Sequence, residues 1–363
     1  MNVLKKLHRL LDPEKVSGRY KDGRRDLLKG LANGSPISNE QKSEIIAYWQ
    51  PYLNSCLARY SWDIRWYDIY NKVNVFGSNL THFVPDSYYY CVVDRFFNNA
   101  VAAQALDDKN LYDLLLNDAP QPKTICRRIG DVLLDNQYKV ISLEQAMTAC
   151  KQAGKIILKP SLGTCAGAGI SVWNGKIEKE EVLKSILQIP RSFVVQDFVE
   201  QSKSLSQFNA TCVNTMRIVT LLFQGEVHVV SQVVIMGGKE ALTNHLHRGG
   251  LVCGIMSDGR LRELAFDGNL TMYKQHPNGQ VFADCQLPNY HKCIDLVKAM
   301  AFRVSQVSKL VAWDVTLNAD DEPLIIETNL SWGGSVQVAG SPALGDITDE
   351  VLQYIAKQKI DRK

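Results

Sequence analysis

The sequence predicts an α+β protein: two mixed lobes behind a mainly helical N-terminal region. Three observations carry this expectation. Residues 1–105 are rich in aromatics and read as helices, broken once at Gly34-Ser35-Pro36. From Leu106 onward, short apolar strand-like runs mix with helical stretches, without the strict strand–helix rhythm of a doubly wound sheet. A glycine-rich loop stands between two of those strands, over residues 161–169. The chain divides accordingly into 1–105, 106–200 and 201–363.

Each element follows from local chemistry. In the first region, Ser38 and Gln41 can cap a helix that continues through Ile45, Ile46 and Trp49. Tyr88-Tyr89-Tyr90 and Phe96-Phe97 read as a core or lobe-contact surface. In the second region, strands at 124–126 and 132–134 flank Gly130-Asp131, a hairpin turn signal. Ser142 with Gln145 opens a helix through Ala149. Strand 156–159 runs into the glycine-rich loop and 170–173 returns from it; a helix at 180–187 and a strand at 193–196 follow. In the third region, 216–223 and 227–235 form a hairpin about Gly225. A helix is expected over 290–309, and strands 310–317 and 323–329 flank the polar turn Asn318-Ala319-Asp320-Asp321; a helix ends this lobe.

Composition narrows the partners. Of 363 residues, 45% are hydrophobic and 22% charged, as in ordinary globular proteins, and the net charge is only +3. So small a balance gives no basic stripe for a nucleic acid and points to small molecules or a weakly charged polymer. The nine cysteines are scattered singly with no C-x-x-C pair, which argues against zinc or a disulfide framework and for a reduced, cytoplasmic setting. No apolar run approaches the roughly 20 residues of a transmembrane helix. Residues 1–11 are basic and amphipathic, with Leu4, Leu7, Leu10 and Leu11 on one face; a surface helix is expected there, with weak docking on a membrane surface as the lesser alternative, and not a signal peptide.

The first constellation with chemistry in it is Lys159-Pro160-Ser161-Leu162-Gly163-Thr164-Cys165-Ala166-Gly167-Ala168-Gly169. Glycines remove side chains where a backbone must come close to phosphate, and free N–H groups in such a loop bind anions. Lys159 can neutralise phosphate charge at its mouth. A plain flexible hairpin is the bland alternative. A strand follows the loop, and it matches neither G-x-x-x-x-G-K-S/T nor G-x-G-x-x-G ahead of a helix, so it is neither a P-loop nor a Rossmann turn.

The second constellation is Trp313-Asp314-Val315-Thr316 with Ile325-Ile326-Glu327-Thr328-Asn329. Glu327 and Asn329 are two apart on a strand and share a face, and a hairpin brings Asp314 beside them. Hard oxygen donors of this kind suit Mg²⁺, which takes its remaining ligands from water and phosphate. A merely solvated strand end would not explain why such apolar strands send three metal-type side chains to one face. Two lesser features accompany these. Gln196, Asp197 and Val199 lie where a strand ends in an extended segment whose backbone can pair with a nucleobase edge. Asn214-Thr215-Met216-Arg217 sets an arginine at a strand start, able to grip phosphate or carboxylate bidentately or else to form a surface ion pair.

A lysine and glycine-rich hairpin, then a hinge strand, then D…E-x-N resembles the ATP-grasp superfamily in kind and in order. Asp108-Lys109-Asn110-Leu111-Tyr112-Asp113, Pro122-Lys123-Thr124-Ile125, Asn214-Thr215-Met216-Arg217 and Trp313-Asp314-Val315 resemble its sugar-transfer-associated group, which includes the teichuronopeptide-biosynthesis type; the similarity spans about residues 70–340 and takes in Phe83-Val84-Pro85-Asp86. The resemblance implies two α+β lobes sandwiching ATP. It implies that Lys109 and Lys159 contact phosphates and that residues 161–169, with Ser161, Gly163, Thr164, Gly167 and Gly169, form the flap over the triphosphate. It implies further that Gln196, Asp197 and Val199 hold adenine, and that Asp314, Glu327 and Asn329 bind magnesium, with two ions in all. One departure is the stretch Asn244-His245-Leu246-His247-Arg248-Gly249-Gly250, where the group has an asparagine before paired glycines; His245 and His247 can contact the acceptor or be plain loop residues, and the loop reading is preferred.

The activity implied is carboxylate–amine ligation through an acyl phosphate, with Lys159 and Arg217 as catalytic cations. By analogy the carboxylate belongs to a small molecule or a surface glycan, and glycan-assembly proteins are the expected company. Two rivals stay open: a kinase of hydroxyl groups on the same scaffold, and a nucleotide-binding scaffold without turnover.

Overall fold

The structure, a computed structural model, describes residues 25, 27–162, 169–241, 243–246, 249–330 and 334–360. The helix expected over residues 1–11 lies outside them. Helix α1 (Asn39–Trp49) begins with the capping box read from Ser38 and Gln41, each satisfying the other's backbone N–H. Helix α2 (Trp66–Val73) buries Trp66, Tyr67, Ile69, Tyr70 and Val73. The tyrosine run enters a π-helical turn, Tyr89–Asp94, in which Tyr89 to Val93 are all buried. The Trp49 ring meets Tyr88 edge-on at 4.9 Å, and its indole N–H donates to the Thr81 carbonyl at 3.0 Å.

The first sheet contains β1 (Thr124–Ile129), β2 (Val132–Asp135), β3 (Lys155–Pro160), β4 (Ser171–Asn174) and β5 (Phe193–Asp197) in the order β2-β1-β5-β3-β4, all antiparallel. Helices α3 (Leu143–Ala153) and α4 (Glu180–Leu187) cover one face, closing a small core of Cys126, Ile156, Leu158, Trp173, Phe193 and Val195 against Ala146, Cys150, Leu183 and Leu187. Ser142 and Gln145 form the expected capping box on α3.

The second sheet is antiparallel too, in the order β10-β9-β8-β7-β6-β11-β12, from β6 (Thr215–Phe223), β7 (Glu226–Met236), β8 (Leu251–Ile255), β9 (Leu261–Phe266), β10 (Met272–Tyr273), β11 (Leu310–Leu317) and β12 (Pro323–Asn329). Alternate side chains feed two cores. Met216, Ile218, Val311, Trp313 and Val315 pack toward α5 (Tyr290–Arg303). Val219, Leu221, Phe223, Val233, Ile235 and Leu310 pack instead against the N-terminal helices and α6 (Thr348–Ile360). Uncovering six such side chains would cost of the order of 10 kcal/mol at about 2 kcal/mol each, comparable with a domain's whole stability. The N-terminal helices are therefore part of this core.

Two departures from the sequence reading have physical causes. Helix α5 stops at Arg303, short of 309, because the next residues are drawn into the start of β11. There the Asn98 side-chain oxygen accepts from the amides of Lys309 and Leu310, each at 3.0 Å, and from the Ser308 hydroxyl. Strands β8, β9 and β10 had no individual counterpart in the reading. Among the described residues, no helix is long and apolar enough to cross a membrane.

Candidate active site

Three adjacent strands set one row of charge across the second sheet. Arg217 of β6 stands opposite Asp314 of β11, which stands opposite Glu327 of β12. The Arg217 fork donates to both carboxylate oxygens of Asp314, Nε to Oδ1 and Nη2 to Oδ2, each at 2.8 Å. Asn329, two residues from Glu327 on the same face, donates Nδ2 to Asp314 Oδ2 at 3.0 Å. The three oxygen-bearing residues read from D…E-x-N thus do meet. Arg217, however, spends its bidentate grip on Asp314 and is neither a surface ion pair nor an open anion clamp.

Two lysines face this row from the other lobe. Lys109 Nζ lies 3.4 Å from Glu327 Oε2. Lys159, near the end of β3, is only 7% exposed. Burial pushes the Lys159 ammonium down to about 8; Glu327 offsets part of this and Lys109 adds to it. Burial also pushes the Glu327 carboxyl up, but Lys109, Lys159 and Arg217 outweigh it and hold Glu327 below the ordinary carboxylate range. For Asp314 burial prevails: its carboxyl is raised, Arg217 pulling it down and Glu327 adding to the rise. The resulting cluster has three cations around two carboxylates, so it presents net positive charge.

The position of Lys109 depends on its own segment, on Ser161 and on two residues that the sequence reading passed over, Arg127 and Tyr138. Its amide donates to the Ser161 carbonyl at 3.0 Å, tying it to the mouth of the glycine-rich loop. Asp108 caps the turn by accepting from the Asn110 amide at 3.0 Å. The Asn110 carbonyl accepts from Arg127 Nη1 at 2.8 Å and from the Tyr138 hydroxyl at 3.0 Å. Arg127, fully buried in β1, is neutralised by Asp113 and stacked by Tyr138 at 4.0 Å. Two adjacent arginines in a short strand-like run, Arg127 and Arg128, were the available signal, since alternation turns one of them inward where a charge needs a partner.

At the loop itself, Ser161 is buried and its hydroxyl has no hydrogen-bond partner among the described residues. Gly169 closes the loop with φ of +75°, its carbonyl accepting from Arg191 Nη2 at 3.4 Å. Gly163, Thr164 and Gly167 lie outside the described residues. In the hinge, the Gln196 side chain donates to the Pro122 carbonyl at 3.3 Å. The amides of Asp197 and Phe198 are taken by Lys123 and Lys155 carbonyls at 2.9 and 3.2 Å, so the first hinge amide without a partner among the described residues is that of Val199. Asn214 is a buried hub, bonding Gln201, Leu205 and Asn209, and it fixes the loop ahead of Arg217. In the histidine-bearing loop, the His245 carbonyl accepts from the Gly250 amide at 3.1 Å; His247 lies outside the described residues.

The donor set suits a hard cation. No cluster of three His, Cys, Asp or Glu ligands occurs among the described residues, but two carboxylates and a carboxamide are enough for an ion that keeps waters and takes phosphate oxygens. Glu327 and the Asn329 carboxamide oxygen are the donors open to it, while Asp314 offers the remaining lone pair of Oδ1, its other acceptor sites being taken by Arg217 and Asn329.

Two antiparallel sheets with lysines and a carboxylate row turned toward one another, and a glycine-rich segment joining β3 to β4, define the ATP-grasp fold. The model described as sugar-transfer associated ATP-grasp matches residues 92–353, and the chain belongs to that family. Among solved structures, it is similar to D-alanyl-alanine synthetase A from Vibrio cholerae (TM-score 0.45, 13% identity, 73% of this chain and 68% of that one). It is similar also to the ATP-grasp ligase PsnB complexed with minimal precursor, Mg and ADP (0.40, 13%, 75% and 67%). A third is D-cycloserine synthetase DcsG (0.38, 15%, 72% and 72%). No curated protein matches.

Proposed function

We propose that this protein is an ADP-forming carboxylate–amine ligase that modifies a cell-surface glycan or its precursor. The observation that carries the reading is the convergence of Lys109, Lys159 and Arg217 on Glu327, Asp314 and Asn329 at the mouth of a glycine-rich loop. A net-positive, largely desolvated cluster is what a transferring phosphoryl group needs, since phosphoryl transfer is catalysed mainly by positioning and charge neutralisation. The orphaned Ser161 hydroxyl fits the same ligand, because a buried donor without a partner is costly unless an anion completes it.

In this reading Lys159 and Lys109 neutralise the phosphate oxygens of ATP, and the Val199 amide meets the adenine edge. Glu327 and Asn329 would hold Mg²⁺, joined by Asp314 at a second ion. The metal supplies charge neutralisation of the β- and γ-phosphate oxygens. A substrate carboxylate oxygen attacks the γ-phosphorus, and the bond to the β-bridging oxygen breaks, giving acyl phosphate and ADP. An amine then adds to the acyl carbon; phosphate leaves and the nitrogen loses a proton, giving an amide. The family's link to sugar transfer supports a uronic acid or sugar-linked acid as the carboxylate. The cytoplasm, where ATP is plentiful, is the proposed compartment, and glycan-assembly proteins are proposed partners.

The test is phosphate release from MgATP with mixtures of amino acids and uronic or sugar-linked acids, followed by product mass. Release that needs both an acid and an amine, with loss of water from the combined product mass, supports the ligase. Phosphate retained on a hydroxyl-bearing product would make it a kinase, and binding without turnover would make it a scaffold.

A further inference from the structure

The second sheet carries another arginine on the face that bears Arg217, and nothing above uses it. Arg262 lies on β9, where Leu261 and Ala265 join the α5 core while Leu264 and Phe266 turn to the N-terminal core. Alternation puts Arg262 with the latter pair, on the side of Arg217. The rows correspond as well, since Arg217 pairs with Val233 and Val233 with Gly254. The Arg262 stem lies over Gly254: a Cβ added there would come within 2.7 Å of its Cδ and 3.0 Å of its Nε. Glycine at 254 lets the arginine lean inward from β9 across β8. Its Cα stands roughly 14 Å from that of Arg217, at about 4.8 Å per strand.

Its guanidinium carbon sits 4.3 Å from the centre of the Phe76 ring, which follows α2 in the N-terminal region. Phe76 is itself set against Gly340, where a Cβ would lie 2.7 Å from the ring. Unlike the Arg127 and Arg217 guanidinium groups, which are neutralised by Asp113 and Asp314, that of Arg262 makes no hydrogen bond or ion pair with the described residues; only its backbone carbonyl is engaged, accepting from Cys253 Sγ at 3.3 Å. Burial pushes its guanidinium below the ordinary arginine range, with Cys253 opposing in part. A half-buried cation without a counter-charge is costly to keep, and a ligand that carries the counter-charge removes that cost. Stacking on an aromatic face also holds the planar fork ready for two parallel hydrogen bonds.

We propose that Arg262, stacked on Phe76 and given room by Gly254, is an anion subsite that takes a carboxylate or phosphate group carried by the substrate. The identity of that substrate rests on the ligase reading; the subsite itself does not. Phe76 lies before the family-matched segment and Arg262 within it, so the pair joins this chain's N-terminal helices to the shared fold. A substrate bridging the row from Arg262 toward Arg217 would place a second functional group near the lysines while its anion stays anchored.

The experiment is calorimetric titration of the whole chain with D-glucuronate and, separately, inorganic phosphate, each with and without saturating Mg-AMPPNP. Wild type, Arg262→Met and Arg262→Lys are compared. Met keeps the apolar stem without charge, and Lys keeps charge without the fork. The expected result is that wild type binds at least one probe and that Met weakens it about tenfold or more, with Lys in between, because a charge-assisted bidentate pair is lost. The probe that responds tells carboxylate from phosphate. Mg-AMPPNP affinity should be the same in all three proteins. If wild type binds neither probe, or if Met binds as wild type does, the subsite is refuted. Should Met fail to fold by circular dichroism, Lys decides, and affinity equal to wild type refutes it. Absence of Mg-AMPPNP binding by wild type would instead count against the ligase reading, leaving the Arg262 comparison to be read without nucleotide.

Discussion

Replacing Lys159 by Met should make the free protein more stable while it loses ATP. The ammonium of Lys159 is buried, and its pKa falls from the ordinary 10.5 to about 8, chiefly through burial. At roughly 1.4 kcal/mol per tenfold change, the folded chain near pH 7 carries this charge at a cost of about 3 kcal/mol relative to a neutral side chain. Methionine keeps the stem and drops the charge. A net gain of about 1–3 kcal/mol is expected without nucleotide or Mg²⁺, after allowing for imperfect packing. The pH dependence gives the sign. Between about pH 8 and 10.5 the unfolded wild type holds more protons than the folded form, so wild-type stability climbs with pH there. The variant has no such climb, so its advantage should shrink across that window. Guanidinium unfolding at about pH 7 and about pH 10, beside calorimetry with MgATP, measures both halves. A variant less stable than wild type near neutral pH, or an advantage that grows with pH, would refute the reasoning.

Other outcomes follow from the same geometry. Arg217→Ala strands a buried Asp314 carboxylate and should cost about 3–5 kcal/mol in denaturant unfolding; a change within error would show that the pair is solvated. Glu327→Gln should slow phosphate release on the order of 10²-fold, and more than it weakens nucleotide binding; equal loss in both would make Glu327 a binding residue only. Gly340→Ala should lower thermal stability by about 1–3 kcal/mol. Its φ is +80° and the new Cβ would sit 2.9 Å from the Val73 carbonyl; an unchanged melt would mean that the segment relaxes freely.

The parts of the fold legible in the sequence were those with strong local chemistry. The capping residues Ser38 and Ser142 announced α1 and α3, and the apolar runs 310–317 and 323–329 announced β11 and β12. Strand β9, Leu-Arg-Glu-Leu-Ala-Phe, was harder because its first five residues favour helices; burial of Leu261, Ala265 and Phe266 against two cores overrides that preference. The end of α5 was hidden because Asn98, some two hundred positions away, captures the chain there.

In the site, i and i+2 alternation was enough to put Glu327 and Asn329 on one face. Cross-strand register was not legible, so Arg217 was left open between a grip on phosphate or carboxylate and a surface ion pair, and its buried pairing with Asp314 was missed. Likewise, which hinge amides remain open depends on the Lys123 and Lys155 carbonyls where the strands flanking β5 begin, a long-range fact. Arg262 stayed invisible for the same reason. Only its contact with Phe76, far off in the sequence, shows that it lies on the site face, and Gly254 leaves it room.

The most direct measurement is a crystal structure of the protein with AMPPNP and Mn²⁺, recorded at a wavelength where manganese scatters anomalously. An anomalous peak within coordinating distance of Glu327 and Asn329, with the nucleotide phosphates against Lys109 and Lys159, is the result predicted. Nucleotide bound with its metal away from both residues, or no nucleotide between the two sheets, would contradict the account.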